Sequence, residues 1–325
     1  DTNFAGVPYT GGTTNLVLDP KSLKRIDHYR SLAGTINNCA GGRTSWGSWI
    51  SCEETRMDDH GYAFEVYADK RPNSVRRLDY MGRFNREAVS IYEPTGIVYQ
   101  TEDDSSGLFY RFIPSDPKDL AKPGKLQALK IKSQIDPRNP KNNIKTGSRF
   151  EVEWVDIDDF HAKKTTTKYQ GSIQGASPFN GSEGIITDKK SVFFTCKDGG
   201  YKEHGQIFRY YPSKYEGTTK EVEQPGILEL FYESKNKDEY WGGDNIVIAP
   251  WGDLIICEDN GSRGCKLLGI NNHGSIYVIG QVEDSSSEIA GVCFSPDGKN
   301  MFLNIQDEGR TIAIFGDWKK IQTLY

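Results

Sequence analysis

Short apolar stretches, each closed by a turn signal, recur along the whole chain. TTNLVLD, from Thr13, and the run from Arg25 to Tyr29 read as two strands on either side of a turn at Pro20. WGSWISC, from Trp46 to Cys52, reads as a hairpin turn followed by an inner strand. Phe64–Tyr67 and Val75–Leu78 follow as two more strands, divided by a turn at Arg71–Asn73. The plan then repeats. Ala88–Tyr92, a turn at Pro94–Gly96, Ile97–Thr101 and Leu108–Ile113 make a second unit. SEGIITDKKSVFFTCKDGGYKEHGQIFRYYP, from Ser182, matches it almost element for element. GDNIVIAPWGDLIICEDNGSRGCKLLGI, from Gly243, and SEIAGVCFSPDGKNMFLNIQDEGRTIAIFG, from Ser287, give two further units, the last turning on a type I signal, SPDG.

Measured between the strand ends Cys52, Thr101, Cys196, Cys257 and Ile305, the steps are 49, 95, 61 and 48 residues. The long step is close to twice the short ones, which points to a divergent or inserted unit in residues 115–165. That region is rich in Lys and Pro, with a short helix expected at Pro117–Ala121 and strands at Leu126–Ile131 and Phe150–Val155. Repeats of about 40 to 50 residues with four strands each are the signature of a β-propeller. The expected fold is therefore all-β, a six-bladed β-propeller with four-stranded antiparallel blades. It would fill residues 1–325 as a single domain with a site at the mouth of its funnel. The composition agrees, with 34 glycines, 14 prolines and 12% aromatic residues.

Acidic residues recur in phase with these units. Counting back from the strand ends, Cys39 lies 13 residues before Cys52, Glu183 lies 13 before Cys196, and Asp244 lies 13 before Cys257, while Glu87 lies 14 before Thr101. Each strand then runs into acid: Glu53 and Glu54, Glu102 and Asp103, Asp198 after one lysine, Glu258 and Asp259. In a propeller these positions, with Glu288, converge on one ring. Like charges packed there repel and take up protons unless a cation compensates them. Hard oxygen donors suit calcium, and a thiolate among them suits a softer transition metal such as iron or zinc. Any one acid after a strand equally caps a turn, the expected role of Glu54, Asp103 and Asp259. Cys52, Cys196 and Cys257 share a strand-end position and are expected to be small buried apolar residues. The histidines at 28, 60, 161, 204 and 273 fall at apparent turns or strand edges and are expected at the surface.

A net charge of −5 gives no global attraction to nucleic acid or anionic lipid. No apolar run approaches the roughly 20 residues that span a bilayer. Asp1–Gly12 lacks the charged start and apolar centre of a signal peptide. A monomer acting on a small molecule is expected.

GTINNCAGGRTSWGSWISCEET, from Gly34, resembles the signature of the PhoX-like alkaline phosphatases. The likeness extends through EPTGIVYQTEDDSSGLFYRF, SEGI, GDNIVIAPWGDLIICEDN and SEIAGVCFSPDGKNMFLNIQ. It implies a six-bladed propeller whose funnel holds iron and calcium ions, hydrolyses phosphate monoesters and acts in the periplasm or outside the cell. Carried over by residue, Cys39 would be a thiolate ligand and Glu53, Glu87, Glu102, Glu183, Asp244, Glu258 and Glu288 carboxylate ligands, with Cys39 and Glu87 at the catalytic centre; beside them Arg86, as a replacement cation at the catalytic centre, and Asn38 are expected to hold substrate. The chain departs from the family at Arg86, where histidine is common, and at Gly181-Ser182-Glu183, where the family reads arginine-proline-glutamate. The lost arginine is a plausible bidentate phosphate clamp. The rival expectations are a calcium-dependent lactonase-like hydrolase and a non-catalytic propeller that binds a ligand or protein and uses metal only for rigidity.

Overall fold

A computed structural model describes residues 8–70, 75–261 and 264–321; the turn expected at 71–73 lies outside the described residues. The chain opens with a two-stranded ribbon, β1 (Gly11–Leu18) and β2 (Arg25–Thr35). A four-stranded antiparallel sheet follows: β3 (Asn38–Arg43), β4 (Ser48–Glu53), β5 (Ala63–Tyr67) and β6 (Val75–Arg77). The second unit is β7 (Arg86–Tyr92), β8 (Ile97–Glu102), β9 (Tyr110–Pro114) and β10 (Gly124–Ile131). After β11 (Arg149–Asp156) and the short helix α1 (Thr167–Ser172) comes the third, β12 (Ser182–Thr187), β13 (Val192–Cys196), β14 (Gln206–Tyr211) and β15 (Ile227–Glu233). The fourth is β16 (Gly243–Ile248), β17 (Leu254–Glu258), β18 (Lys266–Ile270) and β19 (Ile276–Gln281). The last has three strands, β20 (Ile289–Phe294), β21 (Asn300–Ile305) and β22 (Arg310–Phe315).

The separate blade expected in residues 115–165 is not formed. Its first strand, β10, is the outer strand of the second unit, and β11 pairs with both β10 and β15. The second and third units are thereby fused edge to edge into one nine-stranded sheet, and two outer edges that would otherwise face solvent are covered. Among the described residues the inner strands are β3, β7, β12, β16 and β20, each packed on the next. The all-β, propeller-like expectation therefore holds, while the count of six four-stranded blades does not describe these sheets.

Units pack face to face, which explains why several strands read as nearly continuous apolar text. Every residue of β7, β8, β13, β17 and β18 is buried. Between units two and three the rings of Phe109 and Phe194 stack at 4.3 Å, and Phe179 meets Phe194 and Phe208 edge-on at 5.2 Å. Burying each such side chain contributes roughly 1.5–3 kcal/mol.

Two details of the inner strands position everything that follows. Each carries a β-bulge near its start, between Asn38 and Gly41, Arg86 and Val89, Ser182 and Ile185, Gly243 and Ile246, and Ala290 and Cys293. A bulge breaks strict alternation and re-aims the side chain it carries. Neighbouring units are also stitched by a hydroxyl: Thr101 Oγ1 donates to the carbonyl of Glu183 at 2.5 Å, and Thr195 Oγ1 to that of Asp244 at 2.7 Å. Thr195→Val would leave a buried carbonyl unpaired. We expect it to lower unfolding free energy by about 1–3 kcal/mol in urea denaturation, and an unchanged midpoint would show that the stitch is not holding the units together.

Candidate metal centre

The first bulge residue of four successive inner strands is Cys39, Glu87, Glu183 and Asp244. Because the bulge falls at the same place in each strand, all four side chains leave the sheet at the same end of the ring. In the fifth unit that slot is Gly291, and an acid arrives instead from Glu288, just before β20. A second tier comes from the residues after the partner strands, whose amides bond back across the hairpin: Glu54 N to Asn37 O, Asp103 N to Asn85 O, Lys197 N to Gly181 O and Asp259 N to Gly242 O.

These residues meet in three overlapping triads. Cys39, Glu54 and Glu87 bring one potential ligand atom each to within 4.8 Å of one another, as do Glu87, Glu183 and Asp244, and again Asp244, Asp259 and Glu288. Cys39 Sγ lies 3.0 Å from Glu87 Oε1. The triads border a cavity of about 270 Å³ lined by Cys39, Ala88, Gly184, Asp244, Glu288 and Gly291. Small residues keep it open. At Gly184 a Cβ would stand 2.7 Å from the carbonyl oxygen of Asp244, so the close approach of β12 to β16 requires glycine there.

The acids resist ionising together. Burial, opposed by Lys197 and reinforced by Asp259 and Asp103, pushes Asp244 up to about 7. Burial and the charges of Asp244 and Asp259 push Glu288 up to about 8. Glu87 and Glu183 are raised well above the ordinary carboxylate range, first by burial, then by the charge of Asp244 on Glu87 and by those of Glu87 and Asp244 on Glu183. Cys39 is exposed as a residue, but crowding around its sulfur and the facing Glu87 raise the thiol. Such a set is costly as it stands and becomes favourable around a cation, and its donors fit one: carboxylate oxygens suited to calcium, with a single thiol that suits a softer metal.

Several residues expected in the ring lie elsewhere. Glu53, Glu102 and Glu258 are buried, but they sit one position before the ring residues and so point the opposite way. Each binds loop amides: Glu53 accepts from Ile36, Gly61 and Tyr62 and pairs with His60 Nδ1 at 2.7 Å; Glu102 accepts from Leu108 N at 3.0 Å and Tyr110 OH at 2.8 Å; Glu258 accepts from Trp241 N and Lys266 N, both at 3.0 Å. His60, expected at the surface, is buried in that clamp.

Arg86 is also turned into the core. Its guanidinium lies 3.9 Å from the Phe84 ring centre and donates to Gln100 and to the carbonyls of Met81 and Gly82, so it is not placed to hold substrate. Asn38 borders the cavity, but its amide donates to Ser51 Oγ at 2.9 Å and its carbonyl accepts from Thr35. Conversely, Glu54, Asp103 and Asp259, expected as turn caps, face the ring.

Lys197 also faces the ring, which spacing in the sequence does not reveal. The shared spacing to Cys52, Cys196 and Cys257 aligns those cysteines, yet the pairing does not. Ser182 pairs with Cys196 across 14 positions, whereas Asn38 pairs with Glu53 and Gly243 with Glu258 across 15. The third hairpin is one residue shorter, so Cys196 takes the slot of Glu53 and Glu258, and Lys197 takes the slot of Glu54, Asp103 and Asp259. Thr195, stitched to Asp244, confirms that register, since Thr101 makes the same bond one unit earlier. Sequence contained the signal, an acid-to-lysine change in a repeated position, but only the pairing reveals which position it is.

The ring of acids at one end of a bulged, propeller-like array forms a candidate cation-binding site. The chain belongs to the alkaline phosphatase PhoX family, whose model matches residues 10–309. Among solved structures it is similar to Pseudomonas fluorescens PhoX in complex with vanadate, a transition-state analogue, at 17% identity and a TM-score of 0.67, covering 91% of this chain and 70% of that one. A nidogen/laminin complex gives a TM-score of 0.55 at 9% identity, covering 95% and 87%. A periplasmic gluconolactonase of Pseudomonas aeruginosa gives 0.47 at 11% identity, covering 94% and 73%. No curated protein matches the sequence. Among the described residues no helix is long and apolar enough to cross a membrane.

Asp244 and Glu288 have folded-state values above the ordinary carboxylate value near 4, so the stability they affect is intact below about pH 4 and is lost as pH rises toward their own values. The chelated protein is expected to lose thermal stability steadily between those limits, and calcium to flatten the profile. A chelated melting temperature that rises across the same window would contradict the charge crowding. Asp244→Asn should lower bound metal, while Glu102→Gln should leave metal content unchanged and cost about 1–3 kcal/mol of stability through its loop bonds, read by elemental analysis and urea denaturation.

Proposed function

We propose that the chain is a metal-dependent phosphate monoesterase of the alkaline phosphatase type, with Cys39, Glu54, Glu87, Glu183, Asp244, Asp259 and Glu288 as its metal-binding residues. The observation that carries this is the set of three overlapping triads, in which Glu87 and Asp244 are each shared by two. Shared carboxylates are what a cluster of neighbouring cations requires, since each bridge neutralises repulsion on both sides. The triad containing Cys39 suits iron, and the two built only from carboxylates suit calcium. Cations held there would supply the positive charge that stabilises a phosphoryl group during transfer.

The chain's own contribution is positional. Bulges aim the ligands at one spot, the hydroxyl stitches hold the backbones of Glu183 and Asp244, and small residues leave a cavity suited to a compact phosphate ester. Nucleophilic catalysis by a side chain is not invoked. Arg86 takes no part in this proposal, because its guanidinium is spent in the core. Residence in the periplasm or outside the cell, and action as a monomer, complete the proposal on the family's precedent.

The test is turnover of a chromogenic phosphate monoester by protein loaded with iron and calcium, before and after chelation. Chelator-sensitive turnover is expected. Metal uptake without turnover at any loading would favour a propeller that binds a ligand or protein around a rigid metal centre, a reading consistent with Arg86 being withdrawn from the cavity. Cys39→Ala is expected to abolish iron binding, whereas Cys196→Ala should keep iron and lose about 1 kcal/mol of packing stability. Equal iron content in the two variants would remove Cys39 from the centre.

A further inference from the structure

Lys197 occupies, in the third unit, the slot that holds an acid in the first, second and fourth. Its ammonium nitrogen lies 2.7 Å from Glu183 Oε1, 3.5 Å from Asp103 Oδ2 and 3.6 Å from Asp259 Oδ2. These carboxylates come from three different units. Only 24% of the Lys197 side chain is exposed, against 80% for Lys299 in a surface turn. The stem is accommodated because residue 181 is glycine: a Cβ there would stand 3.1 Å from Lys197 Cγ and 3.5 Å from Asp103 Oδ1. The shortened hairpin, the bare glycine and the lysine therefore act together to place a positive charge inside the ring.

We propose that Lys197 is a resident cation of the acid ring. Its ammonium takes the position between Asp103, Glu183 and Asp259 that a divalent ion would otherwise fill, so the chain binds one divalent ion fewer than its carboxylates would hold. The proposal rests on the ring being a metal centre, as set out above. Those three acids face a common point, and a calcium ion there would need oxygen ligands at about 2.3–2.6 Å. An ammonium group meets the same carboxylates at hydrogen-bond and ion-pair distances without requiring a full coordination shell. It also carries one charge instead of two, leaving this side of the ring more negative than a metal would. Because it draws on Glu183 and Asp259, it touches both carboxylate-only triads and sets how tightly each closes on its own ion.

The experiment counts ions. Wild type and Lys197→Met, which keeps the stem and removes the charge, are chelated, dialysed against calcium and analysed for bound calcium per chain, with near-ultraviolet circular dichroism reporting the fold. Lys197→Met is expected to bind one more calcium per chain than wild type. The same number of ions, or fewer, in a folded variant overturns the proposal. Should Lys197→Met fail to fold, Lys197→Gln, which can still hydrogen bond to Glu183, gives the same decision. Phosphatase turnover is measured on the same samples so that the two readings separate. An extra ion without turnover supports the resident cation and counts against the enzyme, whereas turnover with equal stoichiometry overturns the resident cation alone.

Discussion

Packing acids around one point is unfavourable unless a positive charge joins them, and the rest of this structure is arranged so that the acids have no means of separating. Cys39, Glu87, Glu183 and Asp244 leave the sheet from bulges at the start of successive inner strands, with each strand packed on the next. Those side chains cannot turn back into the core, which is filled by apolar side chains, by Arg86 and by the clamps of Glu53, Glu102 and Glu258 on the partner strands. Nor can the strands move apart, since hydroxyl bonds from Thr101 and Thr195 hold the carbonyls of Glu183 and Asp244. Burial and the neighbouring carboxylates so confined push Asp244 and Glu288 above the ordinary carboxylate range.

A division of labour between adjacent residues follows from strand geometry. At each hairpin end, one residue faces the loop and its neighbour faces the ring. The loop-facing glutamates bind backbone amides and make the hairpin ends rigid, and the ring-facing acids then need no partner of their own except a cation. Two neighbouring carboxylates of the same chemistry thus do opposite things: Glu53 is satisfied by three amides and His60, while Glu54 is raised by burial and by Asp103.

Much of this was legible in the sequence. The units, their order and the in-phase recurrence of Cys39, Glu87, Glu183 and Asp244 are visible because strand length and turn chemistry are local properties. What failed was non-local. Residues 115–165 have the length of a blade, but β11 lies between two units and joins them, and no local signal distinguishes a bridging strand from a blade strand. The facing of Glu53 against Glu54 turns on a single residue of register, which spacing alone does not fix. Arg86 and Glu87 are adjacent in the sequence, and adjacency in a strand is what sends the guanidinium to the core and the carboxylate to the ring. The slot of Lys197 is hidden in the sequence because aligning the cysteines presumes equal hairpins, and the third is one residue shorter.

The most direct test of the acid ring as a cation centre is an anomalous-difference crystal structure of the protein grown with iron and calcium. Peaks are predicted within the triads that share Glu87 and Asp244, with the iron signal beside Cys39 Sγ. Peaks at Glu53, Glu102 or Glu258, or an ordered ring of acids with no anomalous signal at saturating metal, would contradict it.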